Sequence, residues 1–277
     1  MIASLFRVCF ARLLLTAACC TLCQPASAAL VGLFEFNDPS NWGAATTGSA
    51  LSISGTGFAS VAGTSGSDGA VAVSSGSFFT LAHGISPNNG GSRVNAYSLV
   101  FDVLKPADNA WYAFFQTGDR TGDADYFIRN SDNGVGVGTL NYSTASVPTN
   151  QVTAGEWFRV VFSADMGNNF GGGASASSFT TTVTNNSGNT WSHSHNNQAL
   201  DGRHSLGATL DFFQDNDGED SLLHVSTIAI FDNALSIAEA TALGSPLTAV
   251  PEPTAATLLG ALAISGLTFR RRRISNI

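Results

Sequence analysis

The chain has 277 residues, of which 44% are hydrophobic and only 12% charged, and it carries a formal charge of −8. Twenty acidic residues against a single lysine, Lys105, exclude a phosphate-seeking surface and with it nucleic acid as a partner. All four cysteines (Cys9, Cys19, Cys20, Cys23) fall in the first 23 residues, so a chain cut beyond them has no disulfide, no thiolate metal site and no cysteine nucleophile.

Residues 1–28 read as a secretory signal peptide. Arg7 and Arg12 precede the apolar run 13–18, and Ala26-Ser27-Ala28 supplies the small residues a signal peptidase requires, with cleavage expected after Ala28. The apolar run is too short for a membrane span of about 20 residues. Lipidation at Cys19 is the alternative, but the Ala26-Ser27-Ala28 site accounts for more of the segment. Between Ala29 and Pro253, six Lys/Arg face twenty Asp/Glu, a balance near −14 that favours cations over anions.

Residues 29–249 form one domain with almost no helical periodicity. Apolar alternation of period two, punctuated by Gly, Asn, Asp and Ser, predicts strands at 30–36, 77–82, 97–104, 110–116, 125–129, 157–163, 179–184, 208–214 and 223–231. In the third, Tyr97, Leu99, Phe101 and Val103 give a strongly apolar face and Ser98, Val100, Asp102 and Leu104 a mixed one. Many short antiparallel strands in about 220 residues predict an all-β sandwich or jelly roll. The Gly-rich stretches 43–76 and 167–178 are expected to be loops. Ser236, followed three residues later by Glu239, predicts a capped helix that closes the domain.

Several residues along this domain invite chemistry. Trp111, Tyr112 and Trp191 are the candidates for stacking on the apolar face of a sugar ring, with packing as their alternative role, whereas Trp157 in its Val/Phe run reads as core. Asp119, Asp123 and Asp125 with Arg120 read as a solvated turn, and His193 and His195 as exposed histidines on a polar strand. The densest cluster is Asp215, Asp217 and Asp220 around Gly218. Three hard oxygen donors on one tight loop suit calcium, which takes six to eight oxygens at about 2.3–2.6 Å, and an acidic turn capping its own backbone fits the same residues.

From Val250 the chain reads Val-Pro251-Glu252-Pro253, then an uncharged run at 254–269, then Arg270, Arg271, Arg272 and Arg273. As a helix the run is roughly 24 Å long, short of a ~30 Å hydrocarbon core, and the arginines are able to snorkel at its end. Positive residues stay on the cytoplasmic side, so the acidic domain is expected outside.

The Pro-Glu-Pro motif, apolar helix and arginine cluster, residues 250–273, resemble a PEP-CTERM sorting signal. That resemblance implies handling by an exosortase near the motif and residence at the cell surface, outer envelope or exopolysaccharide matrix of a biofilm-forming bacterium, with the C-terminal helix holding the chain in the inner membrane at least transiently. Leu33-Phe34-Glu35-Phe36, Gly155-Glu156-Trp157-Phe158-Arg159 and the 211–235 segment resemble LamG-like, concanavalin A-like jelly rolls, over roughly 30–246. Some of that superfamily are glycosidases with paired glutamates, but the pattern Glu-x-Asp-x-x-Glu does not occur here, nor does a Gly-x-Ser-x-Gly elbow or a zinc-protease helix. The expectation is therefore a non-catalytic adhesion or binding module for exopolysaccharide or cell-surface glycan, with calcium as its candidate cofactor. A structural matrix protein without a specific ligand and a divergent polysaccharide hydrolase are the alternatives.

Overall fold

The computed structural model describes residues 28–66, 68–117, 125–130, 133–137, 152–167, 177–196 and 199–251. Residues 1–27, Asp119, Arg120 and Asp123, and everything from Glu252 onward, including Pro253, Arg270, Arg271, Arg272 and Arg273, lie outside these residues. No helix among the described residues is long and apolar enough to cross a membrane.

Fourteen strands are described: β1 (Leu30–Phe34), β2 (Ser52–Ser54), β3 (Phe58–Ala62), β4 (Gly69–Val73), β5 (Phe78–Leu81), β6 (Ala96–Leu104), β7 (Tyr112–Gln116), β8 (Tyr126–Ile128), β9 (Val135–Val137), β10 (Trp157–Asp165), β11 (Ser177–Asn185), β12 (Thr190–Asn196), β13 (Leu210–Phe212) and β14 (Leu223–Phe231). They make an antiparallel sandwich. One sheet runs β12-β11-β10-β6-β14-β4-β3, with β1 also on β14, and the other runs β2-β5-β13-β7-β8-β9. Every run expected from alternation contains a strand. The stretch 43–76, expected as loops, instead holds β2, β3 and β4. Its alternation is muted because the side chains are small: Ala70, Val71, Ala72 and Val73 are all buried, and a Cβ on Gly69 would come within 2.9 Å of the Phe36 carbonyl oxygen.

Between the sheets lies an aromatic-rich core. Tyr97, Leu99, Phe101 and Val103 of β6 and Phe158, Val160 and Phe162 of β10 point into it, and Phe79, Phe114, Phe115, Tyr126 and Phe212 meet them from the second sheet. Full burial of one such side chain stabilises by about 1.5–3 kcal/mol.

The opposite face of the larger sheet is covered as well, which its mixed sequence did not announce. Val100, Val161, Ala229 and Phe231 pack under Leu235, Ala240, Leu243 and Val250, and Ala28 joins the same cluster. Ala240 belongs to the single described helix, α1 (Ile237–Ala242), which forms as its capping box predicts: Ser236 Oγ accepts from the Glu239 N–H at 3.2 Å, and Glu239 Oε2 accepts from the Ser236 N–H at 2.9 Å.

Under this cover sit two charges that are each about 1% exposed. Arg159 of β10 lies directly opposite Asp102 of β6 in the ladder and forms a fork on its carboxylate, Nε to Oδ1 and Nη2 to Oδ2, both at 2.8 Å. Its remaining donors reach the chain beyond the helix, Nη1 to the Leu243 carbonyl at 2.6 Å and Nη2 to the Thr248 carbonyl at 2.7 Å. Burial pushes the Asp102 carboxyl up, and the guanidinium opposes that push. The pair therefore staples residues 243–248 across the middle of the larger sheet.

Candidate functional site

The outer face of the smaller sheet is polar at its centre because of register. Phe79, Phe115 and Phe212 point into the core, so Thr80, Gln116 and Asp211, which follow or precede them on β5, β7 and β13, point out, while an irregularity between Ala113 and Phe115 turns Phe114 into the core as well. Asp211 stands opposite Thr80 on one side and Gln116 on the other, and Ser52 lies opposite Thr80 one strand further. The result is a row across four strands: Ser52, Thr80, Asp211, Gln116.

The row is joined internally. Thr80 Oγ1 donates to Asp211 Oδ1 at 2.6 Å, and Gln116 Nε2 donates to Asp211 Oδ2 at 3.3 Å and also to Gln214 Oε1. One atom is left over. Gln116 is only 6% exposed, yet its Oε1 has no hydrogen-bond partner among the described residues. An unpaired buried acceptor costs about 1–3 kcal/mol.

The acidic loop starts where this row ends. Phe213 takes a left-handed conformation (φ 65°) and donates its N–H to the Phe114 carbonyl at 3.0 Å, which turns the chain out of β13 at Gln214. Asp215 Oδ2 then accepts from the N–H groups of Asp217 (3.0 Å) and Glu219 (2.9 Å), and Gly218 supplies the positive φ of 96° that the turn needs. The far side of the loop is fixed to the start of β7, with the Ala113 N–H on the Glu219 carbonyl and the Ser221 N–H on the Trp111 carbonyl, each at 3.1 Å.

The loop presents a different trio from the expected one. Carboxylate oxygens of Asp215, Asp217 and Glu219 lie within 4.8 Å of one another. Asp220 is turned away and 7% exposed, accepting from Ser75 Oγ and the Gly76 N–H, both at 2.7 Å, so it ties the β4–β5 turn to the loop. The counts of acid are legible in the sequence, but which of two adjacent acids faces outward depends on the pleat the loop inherits from β7.

The aromatic candidates separate in the same way. Trp111 is half-buried on the outer face of the smaller sheet, edge-on to Phe127 at 5.5 Å and near Ala113, beside the acidic loop. Tyr112 points the other way: it is 1% exposed and its hydroxyl donates to the Ala107 carbonyl at 2.6 Å, so it is a core residue. Trp191 packs against the main core from β12 in the other sheet. Trp157 is buried, as its surroundings in sequence suggest. His193 is buried too, not exposed, opposite Thr181 of β11. Asp125 is no solvated turn residue: it is buried, accepts from Arg203 Nε at 2.6 Å and from the Thr117 N–H at 2.9 Å, and burial raises its carboxyl against the pull of that arginine.

Thr80, Gln116 and Gln214 carry no motif. Their only signal is a polar residue in phase with solvent inside an apolar run, and the strand order that sets them beside Asp211, 131 residues from Thr80, is not written locally.

No protein-family model and no curated protein matches the sequence. Among solved structures the chain is similar to domain 4 of the extracellular arabinanase AbnA from Geobacillus stearothermophilus, determined in complex with arabinotriose (17% identity, 78% of this chain and 98% of that one, TM-score 0.47). It is similar also to a protein of unknown function from Shewanella oneidensis (13% identity, 79% and 93%, TM-score 0.46). A third is the binding domain of botulinum neurotoxin serotype D (17% identity, 75% of this chain and 49% of that one, TM-score 0.45), so this chain spans about half the length of the toxin chain.

Proposed function

We propose that the protein is an exported, non-catalytic glycan-binding module of the LamG-like jelly-roll class, which engages polysaccharide through the outer face of its smaller sheet. The observation that carries this is the row Thr80, Asp211, Gln116, Gln214 on the outer face of the smaller sheet, with the half-buried Trp111 on the same face at the other end of β7. A carboxylate held in a fixed position accepts hydroxyl donors, and a neutral oligosaccharide offers these along its length together with apolar ring faces for an indole further along the strand. The signal peptide and the sorting tail, with an exosortase as processing partner, supply the address. Surface residence would bring such a face against matrix or cell-surface glycan.

Binding of residues 29–251 to a panel of neutral xylo-, gluco-, galacto- and arabino-oligosaccharides, followed by calorimetry, tests this. Saturable binding is expected to weaken at least tenfold in Asp211→Asn and Gln116→Ala while melting temperature moves little in Asp211→Asn. Absence of saturable binding to every glycan would favour a structural matrix protein, and slow turnover of one glycan that Asp211→Asn abolishes would favour a hydrolase.

Calcium at the acidic loop is a separate part of the reading, with Asp215, Asp217 and Glu219 as its carboxylate donors and water or solvent-facing carbonyls needed to complete the shell. A ligand that binds the folded state alone raises stability by about 2.7 kcal/mol at one hundred times its dissociation constant. Thermal melting in millimolar calcium is expected to shift upward for the wild type and not for Asp217→Ala. Equal curves with and without calcium would reduce the loop to an acidic turn.

A further inference from the structure

We propose that cleavage after Ala28 builds an ion pair that the uncut chain lacks, between the freed α-ammonium of Ala29 and the carboxylate of Asp232. The proposal rests on reading Ala26-Ser27-Ala28 as the signal cleavage site, and it adds to that reading a structural role for the new N-terminus.

Geometry places the acceptor at the scissile nitrogen. The Ala29 nitrogen lies 2.7 Å from Asp232 Oδ1, and the Asp232 N–H returns a bond to the Ala29 carbonyl at 3.0 Å. This two-way link sits one residue beyond the β1–β14 ladder, whose last pair is Leu30 opposite Phe231. Asp232 is itself held in place, since its carbonyl accepts from Asn88 Nδ2 at 3.3 Å. A carboxylate is more than a backbone amide requires at the end of a ladder. It is the partner an ammonium requires.

Hydrolysis breaks the Ala28–Ala29 C–N bond. Water gives its hydroxyl to the Ala28 carbonyl carbon, which leaves with the leader as a carboxylate, and its hydrogen to the Ala29 nitrogen; the amine then takes a proton from solvent at neutral pH. One neutral N–H donor at 2.7 Å becomes a cation with three donors at the same place. Charge-assisted bonds of this kind are about twice as strong as neutral ones. The cut also removes Ala28, whose methyl group is buried in the cluster over the larger sheet, so the mature end exchanges a small apolar contact for a charged one.

Few other charges bear on the pair. The cavity beside Asp232 is lined by Val31 and residues 83–88, and His83 is the one titratable side chain in that lining besides Asp232. Its ring is already engaged, Nδ1 with the Ile85 N–H at 3.1 Å and Nε2 with the Gly207 carbonyl at 2.7 Å, and burial lowers its tendency to charge.

The full chain should be expressed in an exporting Gram-negative host, and the N-terminus of the exported protein read by mass spectrometry. The α-amine is then titrated by NMR after reductive ¹³C-methylation. The expected result is an N-terminus at Ala29 and an α-amine that titrates about one unit above the usual range near 7.7–8.0, with the upward shift lost in Asp232→Asn, where the amide oxygen still accepts a bond but carries no charge. A mature Ala29 terminus whose titration is the same in folded wild type and in denaturant overturns the ion pair and leaves the cleavage reading standing. A terminus at another residue overturns both. The folded-versus-denatured comparison needs no variant, so it decides even if Asp232→Asn does not fold.

Discussion

Replacing Arg159 by alanine is expected to destabilise the domain by about 3–5 kcal/mol, measured by urea unfolding of residues 29–251, because it strands the Asp102 carboxylate in a site that is about 1% exposed. The Thr248 carbonyl loses Nη2 with it, and the Leu243 carbonyl loses Nη1 and keeps only the Thr248 hydroxyl at 3.1 Å. Arg159→Lys is not a mild change here. A lysine has one compact ammonium in place of a planar fork that meets both carboxylate oxygens at 2.8 Å and both carbonyls. The double substitution Arg159→Met with Asp102→Leu is expected to recover most of what either single change loses, since both desolvated charges disappear together, although residues 243–248 would lose their anchor. A single variant within 1 kcal/mol of wild type would show that water reaches the pair and that the staple is not a buried one.

The second large effect is expected at Phe162. Its ring sits 4.8 Å from Tyr126, 5.1 Å from Phe115, 5.2 Å from Phe179 and 6.0 Å from Tyr97, centroid to centroid. Two of those neighbours belong to the larger sheet and two to the smaller, so the ring is a pin through both layers. Phe162→Ala is expected to cost about 3–5 kcal/mol, the usual range for emptying an aromatic from a close-packed core, and Phe162→Leu distinctly less. Because the Tyr126 hydroxyl shares a 2.7 Å hydrogen bond with Thr181 on the larger sheet, loosening the cluster should also change near-ultraviolet tyrosine dichroism in the alanine variant. A loss under 1 kcal/mol with unchanged dichroism would mean that the sheets are held by something other than this cluster.

What the sequence revealed and what it hid follow one physical line. Period-two alternation marks a strand whose two faces meet different environments, and it located β6, β10 and β14 within a residue or two. Where side chains are small, as in β4, the two faces differ too little in hydropathy to leave a trace, and three strands were absorbed into an expected loop. A strand buried on both faces shows the reverse problem. Ser98 and Asp102 lie on the face of β6 that reads as mixed, and helix α1 and residues 243–250 cover that face, with Ser98 engaged by Ser163, the Asn233 carbonyl and the Leu235 N–H. The helix itself was legible because a capping box is a local device. The Asp102–Arg159 pair was not, since its partners lie 57 residues apart and only strand order brings them opposite. The acidic loop is legible as a loop, but which carboxylates meet is not: Glu219 joins Asp215 and Asp217 while Asp220 turns to Ser75 and Gly76, because composition counts acids and cannot say which way each one points.

The fork at Arg159 also decides how this fold would carry a load. A pull applied to the chain beyond Pro251 does not peel β3 or β12 from a sheet margin. It passes first through residues 243–248 to the guanidinium, and from there into β10 and β6, which lie next to each other in the interior of the larger sheet. Tension would then shear several hydrogen bonds at once across two nine-residue strands. The buried arginine thus gives the domain a grip at its middle, where unzipping one bond at a time is not available.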